Sequence, residues 1–499
     1  MATSYILSID QGTSGTKAII FDTEGNIVAK ASEALRSYYP FSGFVEQDPD
    51  EIYQNVIKAV KHCYAIFLKE LKGEEYTLLS CGISNQRETF VLWDKAGKPL
   101  YNALVWQCKR SVDICEKLRV QGLENRVNSK TGLTIDPYFS ATKIMWLAQQ
   151  NAAIAEAMGR GDVFFGTIDT WLLFKLTGHK NYYTDHTNAS RTLLYNIYDL
   201  SWDLELLKEL GLSNLKLPEV KTSASSFGKS NFNGIFETEL PITSLIGDSH
   251  AAFFGEECFE KGMAKATMGT GCSILWNTGN TPEKHGNGIL TTAGYSLPDK
   301  LHFALEGVIV SCGATLEWLK NQLELFTDHR EIEALATSVS SNEGVYLIPA
   351  FSGIGAPHWQ KDWKASVHGV TFGTTKAHLV RAALESIAFQ IKDVIHAIEQ
   401  ETGQPLRELR VDGGITANGF LMQFLANLLQ TPVTNVGITD ISARGAALVA
   451  GLGVGYWKEL SELPKANYEG YKSYIPDDLS LDSLTPYQSW LRLLNDKKE

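Results

Sequence analysis

Two apolar strands that meet at a glycine-and-hydroxyl loop limit the fold of this chain more than any other stretch. The loop is Asp10-Gln11-Gly12-Thr13-Ser14-Gly15-Thr16-Lys17. Tyr5 to Ile9 before it and Ala18 to Asp22 after it are short and rich in strand formers, and Thr23-Glu24-Gly25-Asn26 supplies the next turn. The loop is therefore predicted to be a hairpin tip. A P-loop needs a glycine, four spacers and Gly-Lys-Ser/Thr running into a helix. Here the second glycine comes too early, Ala18 follows Lys17 and a strand follows the loop, so that class is excluded. The tip still has the parts of a phosphate cradle. Gly12 and Gly15 let backbone N–H groups approach an anion, Thr13, Ser14 and Thr16 add hydroxyls, and Lys17 adds charge. Asp10 makes sense beside Mg2+, which is held by one or two carboxylates together with waters and phosphate. An ordinary glycine-rich hairpin is the alternative.

A chain of 499 residues is too long for one ordinary core, and two domains of about 200–250 residues are expected. The net charge of −12 argues against nucleic acid or an anionic membrane as the main partner, while a local pocket still admits an anionic small molecule. Seven cysteines, at 63, 81, 108, 115, 258, 272 and 312, form no CxxC pair and no zinc spacing; they suit buried positions in a reducing cytoplasm. No uninterrupted apolar run of about 18 residues occurs, so membrane insertion is not expected and the location is read as cytoplasmic.

Helical spacing over 49–71 places Ile52, Val56, Ala59, Val60, Cys63, Ile66 and Phe67 on one face behind an Asp48-Pro49 start. Leu78 to Ser84 reads as a strand, and 140–158 and 201–211 read as helices. After Gly234 the pattern partly restarts: Leu240 to Asp248 is a strand ending on an aspartate, and Ser249 opens an Ala-rich helix. A second Gly/Thr loop, Met268 to Ser273, lies between strand-like runs. Helices are expected at 312–324, 376–402 and 418–430, and a strand from Arg407 to Val411. The result is an α/β chain in two halves, 1–250 and 251–499.

Several segments carry chemistry. Ser84-Asn85-Gln86-Arg87-Glu88-Thr89 follows an apolar strand, at the carboxyl end where α/β folds place ligands. Arg87 offers a rigid donor fork and Glu88 an acceptor pair, which together suit adjacent hydroxyls of a polyol; a local ion pair is the alternative. Trp106, beside Gln107 and Lys109, offers an indole floor for the C–H side of such a ligand, or simply packs. Tyr138 sits in a turn, Asp136-Pro137-Tyr138, that enters a helix. Asp248, between strand and helix, suits a general base toward a hydroxyl, and the helix N-terminus is expected to lower its pKa. A helix-capping role is the alternative for Asp248, and His250 reads as structural. Thr270 lies in a second clamp, Gly269-Thr270-Gly271. Gly414 would let a flat base or ribose lie against the backbone, and Asn418 both donates and accepts.

In that order these segments resemble the FGGY family of carbohydrate kinases, from about residue 5 to 457. The likeness is carried by ISNQRET, NALVWQCKR, TGLTIDPYFSATK, TDHTNASRTLLYN, MGTGC, PAFSGIGAP and LRVDGGITAN, and by the signature-like stretches Tyr138 to Gln150 and Ala365 to Glu385. It is nearest to the glycerol-phosphorylating branch. The resemblance implies the two-domain actin/Hsp70/hexokinase-like (ribonuclease H-like) ATPase fold, with a cleft between the domains. It implies ATP and Mg2+ as cofactors, a small polyol as substrate, and closure that excludes water. It implies Asp248 as catalytic base, and Arg87, Glu88, Tyr138 and Asp248 as polyol contacts, with Trp106 and Ser249 nearby. Thr13, Ser14, Gly15 and Lys17 match the first phosphate loop, Thr270, Gly313, Gly414 and Asn418 match nucleotide contacts, and Asp10 matches the residue near Mg2+. A homodimer or homotetramer is expected.

The chain also departs from that branch. Its members usually read GDQ at Gly247-Asp248-Ser249 and carry an aromatic residue at Ser273. Both changes shrink the pocket wall and raise a larger polyol or ketose as the alternative to glycerol. Lys17 replaces an arginine and keeps the charge without the fork. Glu317 replaces a glutamine near the adenosine. Asn233 to Leu240 reads NGIFETEL, acids standing where glycines and an arginine form a fructose-1,6-bisphosphate loop, so no such inhibition is expected. A switch or filament protein of the same fold is the rival reading, and it predicts no polyol cluster.

Overall fold

The computed structural model describes residues 2–282, 286, 288–465, 470–477 and 484–497. Among them two large mixed sheets organise the chain. The first has six strands: β1 (Thr3–Gln11), β2 (Gly15–Asp22), β3 (Ile27–Ala34), β4 (Tyr76–Asn85), β5 (Ala224–Ser230) and β6 (Leu240–Gly247), in the order β5-β6-β4-β1-β2-β3. The second has seven: β7 (Met263–Met268), β8 (Cys272–Gly279), β9 (Leu290–Leu297), β10 (Lys300–Ile309), β11 (Glu408–Asp412), β12 (Val433–Asn435) and β13 (Lys472–Tyr474), in the order β9-β10-β8-β7-β11-β12-β13. One plan recurs in both. An antiparallel meander (β1-β2-β3, then β7-β8-β10) is extended on its first strand by two parallel strands, β4 and β6 in one sheet and β11 and β12 in the other. Each Gly/Thr loop is the tip of the first hairpin in its sheet.

The helices that position the cleft are α1 (Pro49–Glu70), α2 (Asp248–Gly255), α3 (Gly313–Asn321), α4 (Lys376–Thr402), α5 (Gly419–Leu429) and α6 (Ile441–Gly453). Asp48 caps α1 by accepting from the N–H groups of Asp50 and Glu51. The apolar face of α1 is buried, except that Ile66 points to solvent. The strand Leu240–Gly247 pairs in parallel with β4 inside the first sheet, and the second sheet begins at Met263. Two expectations need correction. The span 140–158 is two helices, Ser140–Gln150 and Ala152–Gly159, because Asn151 turns extended and caps the second. In 201–211 only Leu204–Glu209 is helical, capped by Asp203, while Ser201–Trp202 pairs as a strand. All seven cysteines are buried free thiols. No helix is long and apolar enough to cross a membrane, among the described residues.

Two features join the halves. Helix α6, late in the chain, packs on β1, β4 and β6 of the first sheet and on α2. Small residues allow the approach. A Cβ on Gly82 of β4 would stand 2.2 Å from the Ala446 carbonyl oxygen, and one on Gly445 1.8 Å from that of Ala251. Hydroxyls of Ser8 and Thr243 donate to the Ala443 and Ala450 carbonyls at 2.7 and 2.8 Å. The second feature is ionic. Glu306 of β10 accepts Arg87 Nη2 at 2.8 Å and forms an ion pair with Arg191, Oε2 lying 2.5 Å from Nη1, and Arg191 Nε donates to Glu88 at 2.7 Å. All four side chains are buried.

Overpacking at the helix–sheet contact should be costly. Gly82→Ala is expected to lower stability by about 2–3 kcal/mol, read from the denaturant midpoint. Burial by itself would raise the Glu306 carboxyl, but Arg191 and Arg87 pull it down to about 2 from an ordinary 4.5. A depressed pKa gives stability that is complete above the unfolded value and is lost as pH falls through the folded one. The stability difference between wild type and Glu306→Gln should therefore shrink by about 3 kcal/mol as pH drops from 4.5 to 2. A constant difference across that range would contradict the pairing.

Candidate active site

Strands β1, β4 and β6 are parallel neighbours, with Gln11 level with Asn85 and Asn85 level with Gly247. Their carboxyl ends therefore open on one side, and the residues at and just after them, Asp10, Arg87 with Glu88, and Asp248, meet on one floor. Asp248 is the first residue of α2. Its Oδ1 accepts the Ser249 N–H at 2.6 Å and lies 3.5 Å from Arg87 Nε. Its side chain remains 38% exposed. Burial raises its pKa, opposed by Arg87, the Ser249 N–H and Lys265. The expectation of a lowered value was wrong, because desolvation by the cleft walls outweighs the field of the helix end.

Arg87 and Glu88 do not pair with each other; Arg87 turns to Glu306 and Asp248, and Glu88 to Arg191. Glu88 is held in the left-handed region at φ 58°, and its carbonyl accepts the Ser140 hydroxyl at 2.8 Å. Arg87 Nη1 is buried with no hydrogen-bond partner among the described residues. Tyr138 approaches this group through a turn held from below: Lys143 Nζ, fully buried, donates to the Pro137 and Tyr138 carbonyls at 2.6 and 2.8 Å. The Tyr138 ring meets Trp106 edge-on at 5.5 Å, and Trp106 Nε1 donates to Thr13 Oγ1 at 2.9 Å. Hence the aromatic wall touches the first glycine loop.

The two loops are built alike. Gly12 N–H donates to the Gly15 carbonyl and Gly269 N–H to that of Gly271, both at 2.9 Å. A Cβ on Gly15 or Gly271 would stand 2.6 Å from a carbonyl of the neighbouring strand. Thr13 and Ser14 lie beside Lys17, whose ammonium is 2.6 Å from Asp440 Oδ1; Lys30 holds the other oxygen. In the second loop Gly269 and Thr270 carbonyls accept the N–H groups of Gly313 and Ala314 at 2.9 and 3.1 Å, which brings Gly313 and Thr270 together. Gly413, at φ 102°, leaves no room for a Cβ beside Met268, while the Cβ position of Gly414 faces open space. Asn418 caps α5, its Oδ1 accepting Leu421 N–H at 2.8 Å. Glu317, one turn along α3 from Gly313, is 53% exposed and bonded to His329 and Asn321.

Asp10 has one oxygen bonded to the Ser84 hydroxyl at 3.0 Å. Burial pushes its pKa up to about 6, Lys17 opposing and Asp248 adding to the rise. No group of three or more His, Cys, Asp or Glu is placed to hold a metal, among the described residues. His250 is buried in the interior, as expected.

Four residues escaped the sequence reading: Glu306, Arg191, Lys265 and Asp440. The first three share a faint signal, a lone charge in an otherwise uncharged stretch, such as Glu306 within Phe303 to Ile309 and Lys265 within Met263 to Met268. Lys265 Nζ reaches Ser249 Oγ at 2.5 Å and Thr267 Oγ1 at 2.7 Å. Ser249 Oγ is 2.9 Å from Ser273 Oγ, which donates to Glu306 at 3.1 Å.

Comparison with known proteins agrees with this arrangement. The N-terminal domain of the FGGY family of carbohydrate kinases matches residues 5–255, and the C-terminal domain of that family matches 264–454. A glycerol kinase of Carboxydothermus hydrogenoformans is 45% identical, covering 100% of this chain and 99% of its own length. The crystal structure of Plasmodium falciparum glycerol kinase with ADP superposes with a TM-score of 0.91 at 36% identity, covering 99% of this chain and 98% of that one. A gluconate kinase from Lactobacillus acidophilus, 20% identical with a TM-score of 0.89 over 99% of this chain and 98% of its own, shares the fold. The two sheets are thus the two domains of the actin/Hsp70/hexokinase-like architecture, with the cleft between them, and the chain belongs to the FGGY family of carbohydrate kinases.

Proposed function

We propose that the protein transfers the terminal phosphoryl group of ATP to a primary hydroxyl of glycerol, giving glycerol 3-phosphate and ADP. The observation that carries this reading is the set of unpartnered groups around Asp248. Among the described residues Arg87 Nη1 is a buried donor without an acceptor, and the buried Tyr138 hydroxyl makes no hydrogen bond. Both await a neutral, hydroxyl-bearing ligand. The full-length similarity to glycerol kinases supports glycerol as that ligand.

In this reading Asp248 accepts a hydrogen bond from the attacking hydroxyl and takes its proton as the new P–O bond forms. Its raised pKa makes it a better base than an ordinary aspartate. Arg87, Glu88 and Tyr138 orient the remaining hydroxyls, and Trp106 covers the C–H side. Phosphoryl transfer through a loose transition state depends chiefly on positioning and charge, which these residues supply. The N–H groups of Thr13, Ser14 and Thr270 are engaged by no described residue, and they suit phosphate oxygens together with Gly15 and Lys17. Gly313, Glu317, Gly414 and Asn418 are assigned to the nucleoside and its near phosphates; Gly414 offers the open surface, and Asn418, whose oxygen caps α5, has its amide nitrogen to give. Asp10 fits Mg2+: it is a carboxylate crowded by Asp248 and Asp440, with one oxygen unbonded. When bound, the ion would offset phosphate charge. Ser249 borders the acceptor. We place the enzyme in the cytoplasm as a homodimer or homotetramer.

Asp248→Asn is expected to lower kcat by roughly a hundredfold to ten-thousandfold while the KM for ATP changes little, read as glycerol-dependent ADP production. An undiminished kcat would defeat the assignment. Lys17→Ala should raise the KM for ATP about tenfold or more, the loss of one charge-assisted contact; an unchanged KM would remove Lys17 from the nucleotide site.

A further inference from the structure

We infer that Ser249, Ser273 and Lys265 form a subsite for one more hydroxyl, so that the acceptor pocket takes a four-carbon polyol as well as glycerol; this rests on the function proposed above. Ser249 and Ser273 close a ring with the acceptor site, and Lys265 joins it through Ser249. Asp248 faces Arg87, Arg87 binds Glu306, Glu306 accepts from Ser273, Ser273 meets Ser249, and Ser249 follows Asp248 in the chain. The ring is polar all round, and it borders the cleft: Ser273 is partly exposed and Ser249 is 8% exposed.

Lys265 is the unusual member. It is fully buried, it forms no ion pair among the described residues, and its hydrogen bonds go only to the hydroxyls of Ser249 and Thr267. An ammonium has three donors, so one remains for a further acceptor. Lys265 also lies in the field of buried Glu256, which Asp412 crowds, so the cations Arg87, Arg191 and Lys265 face Glu88, Asp248 and Glu306 together with this further acidic pair. A further anion would meet these carboxylates, whereas a neutral alcohol fits as the missing acceptor. A hydroxyl also donates, and Glu306 is held ionised to receive, directly or through Ser273. The serine hydroxyls rotate freely enough to serve either partner. With glycerol they satisfy one another, so the three-carbon substrate is still accepted.

The test is the ratio of kcat/KM for erythritol or threitol to that for glycerol, measured as ADP production in wild type, Ser273→Ala and Ser249→Ala. The better tetritol should run within about tenfold of glycerol in wild type, and the ratio should fall about tenfold or more in Ser273→Ala, the loss of one hydrogen bond. Ser249→Ala should move the ratio the same way, which decides the matter if the first variant does not fold. Glycerol turnover with both tetritols below about one-thousandth of it overturns the subsite and leaves the proposed function standing. An unchanged ratio in a folded variant also overturns the subsite. Failure of wild type with every polyol overturns both.

Discussion

Glu306 reaches across the cleft to two arginines of the other domain, and the geometry of the acceptor pocket follows from that contact. Placing a carboxylate and two guanidinium groups in the interior carries a desolvation cost of several kcal/mol per ion before any is returned. Such a cluster is poor evidence for stability, but it fixes directions. The fork of Arg87 is planar and rigid. Once Nη2 is committed to Glu306 and Nε lies toward Asp248, Nη1 has one place to point, and no described residue accepts a hydrogen bond from it. A lysine at position 87 would hold a charge there without holding a direction.

The back of the site is fixed by a different force. Helix α6 lies so close under β1, β4 and β6 that Gly82 and Gly445 are sterically required. Close approach keeps the three carboxyl ends level, and level ends are what bring Asp10, Arg87 and Asp248 to one floor. The same helix begins at Asp440, which engages Lys17 of the first loop and Lys30 of the neighbouring strand. Burial would raise the Asp440 carboxyl, yet the two lysines hold it below the ordinary range. Lys17 is thus held in one direction by a carboxylate from the other half of the chain.

What could be read from the sequence was local. The two hairpin loops, the strand leading to Arg87 and the helix over 376–402 follow from spacing and from residues that start or stop an element, and the structure has them. What could not be read was decided by distant partners. The pairing of the strand Leu240–Gly247 has no local signal, because its parallel neighbour lies about 160 residues earlier, beyond any periodicity. Arg191 and Glu306 meet across 115 residues, and each alone is an ordinary charged residue. The pKa of Asp248 was misjudged for the same reason. The helix end that lowers it is visible in the local sequence, whereas the walls that raise it come from both domains.

Glu88 shows how much structure is spent on a single orientation. A non-glycine residue at φ 58° is strained by roughly 1 kcal/mol or more. Its carbonyl is held by Ser140 and one carboxylate oxygen by Arg191, so the conformation is determined from two sides. No described residue bonds its other oxygen. Among the described residues a donor on Arg87, an acceptor on Glu88 and the Tyr138 hydroxyl, which is both, are then left without partners, beside further buried orphans on Arg191 and Glu306. Two adjacent alcohols present two donors and two acceptors within a short reach. A carboxylate ligand would be repelled by Glu88 and Asp248, and an ammonium ligand would find Arg87 in its way. The hydrogen-bond directions of these groups thus match uncharged vicinal hydroxyls, which is the physical ground for the polyol acceptor proposed above.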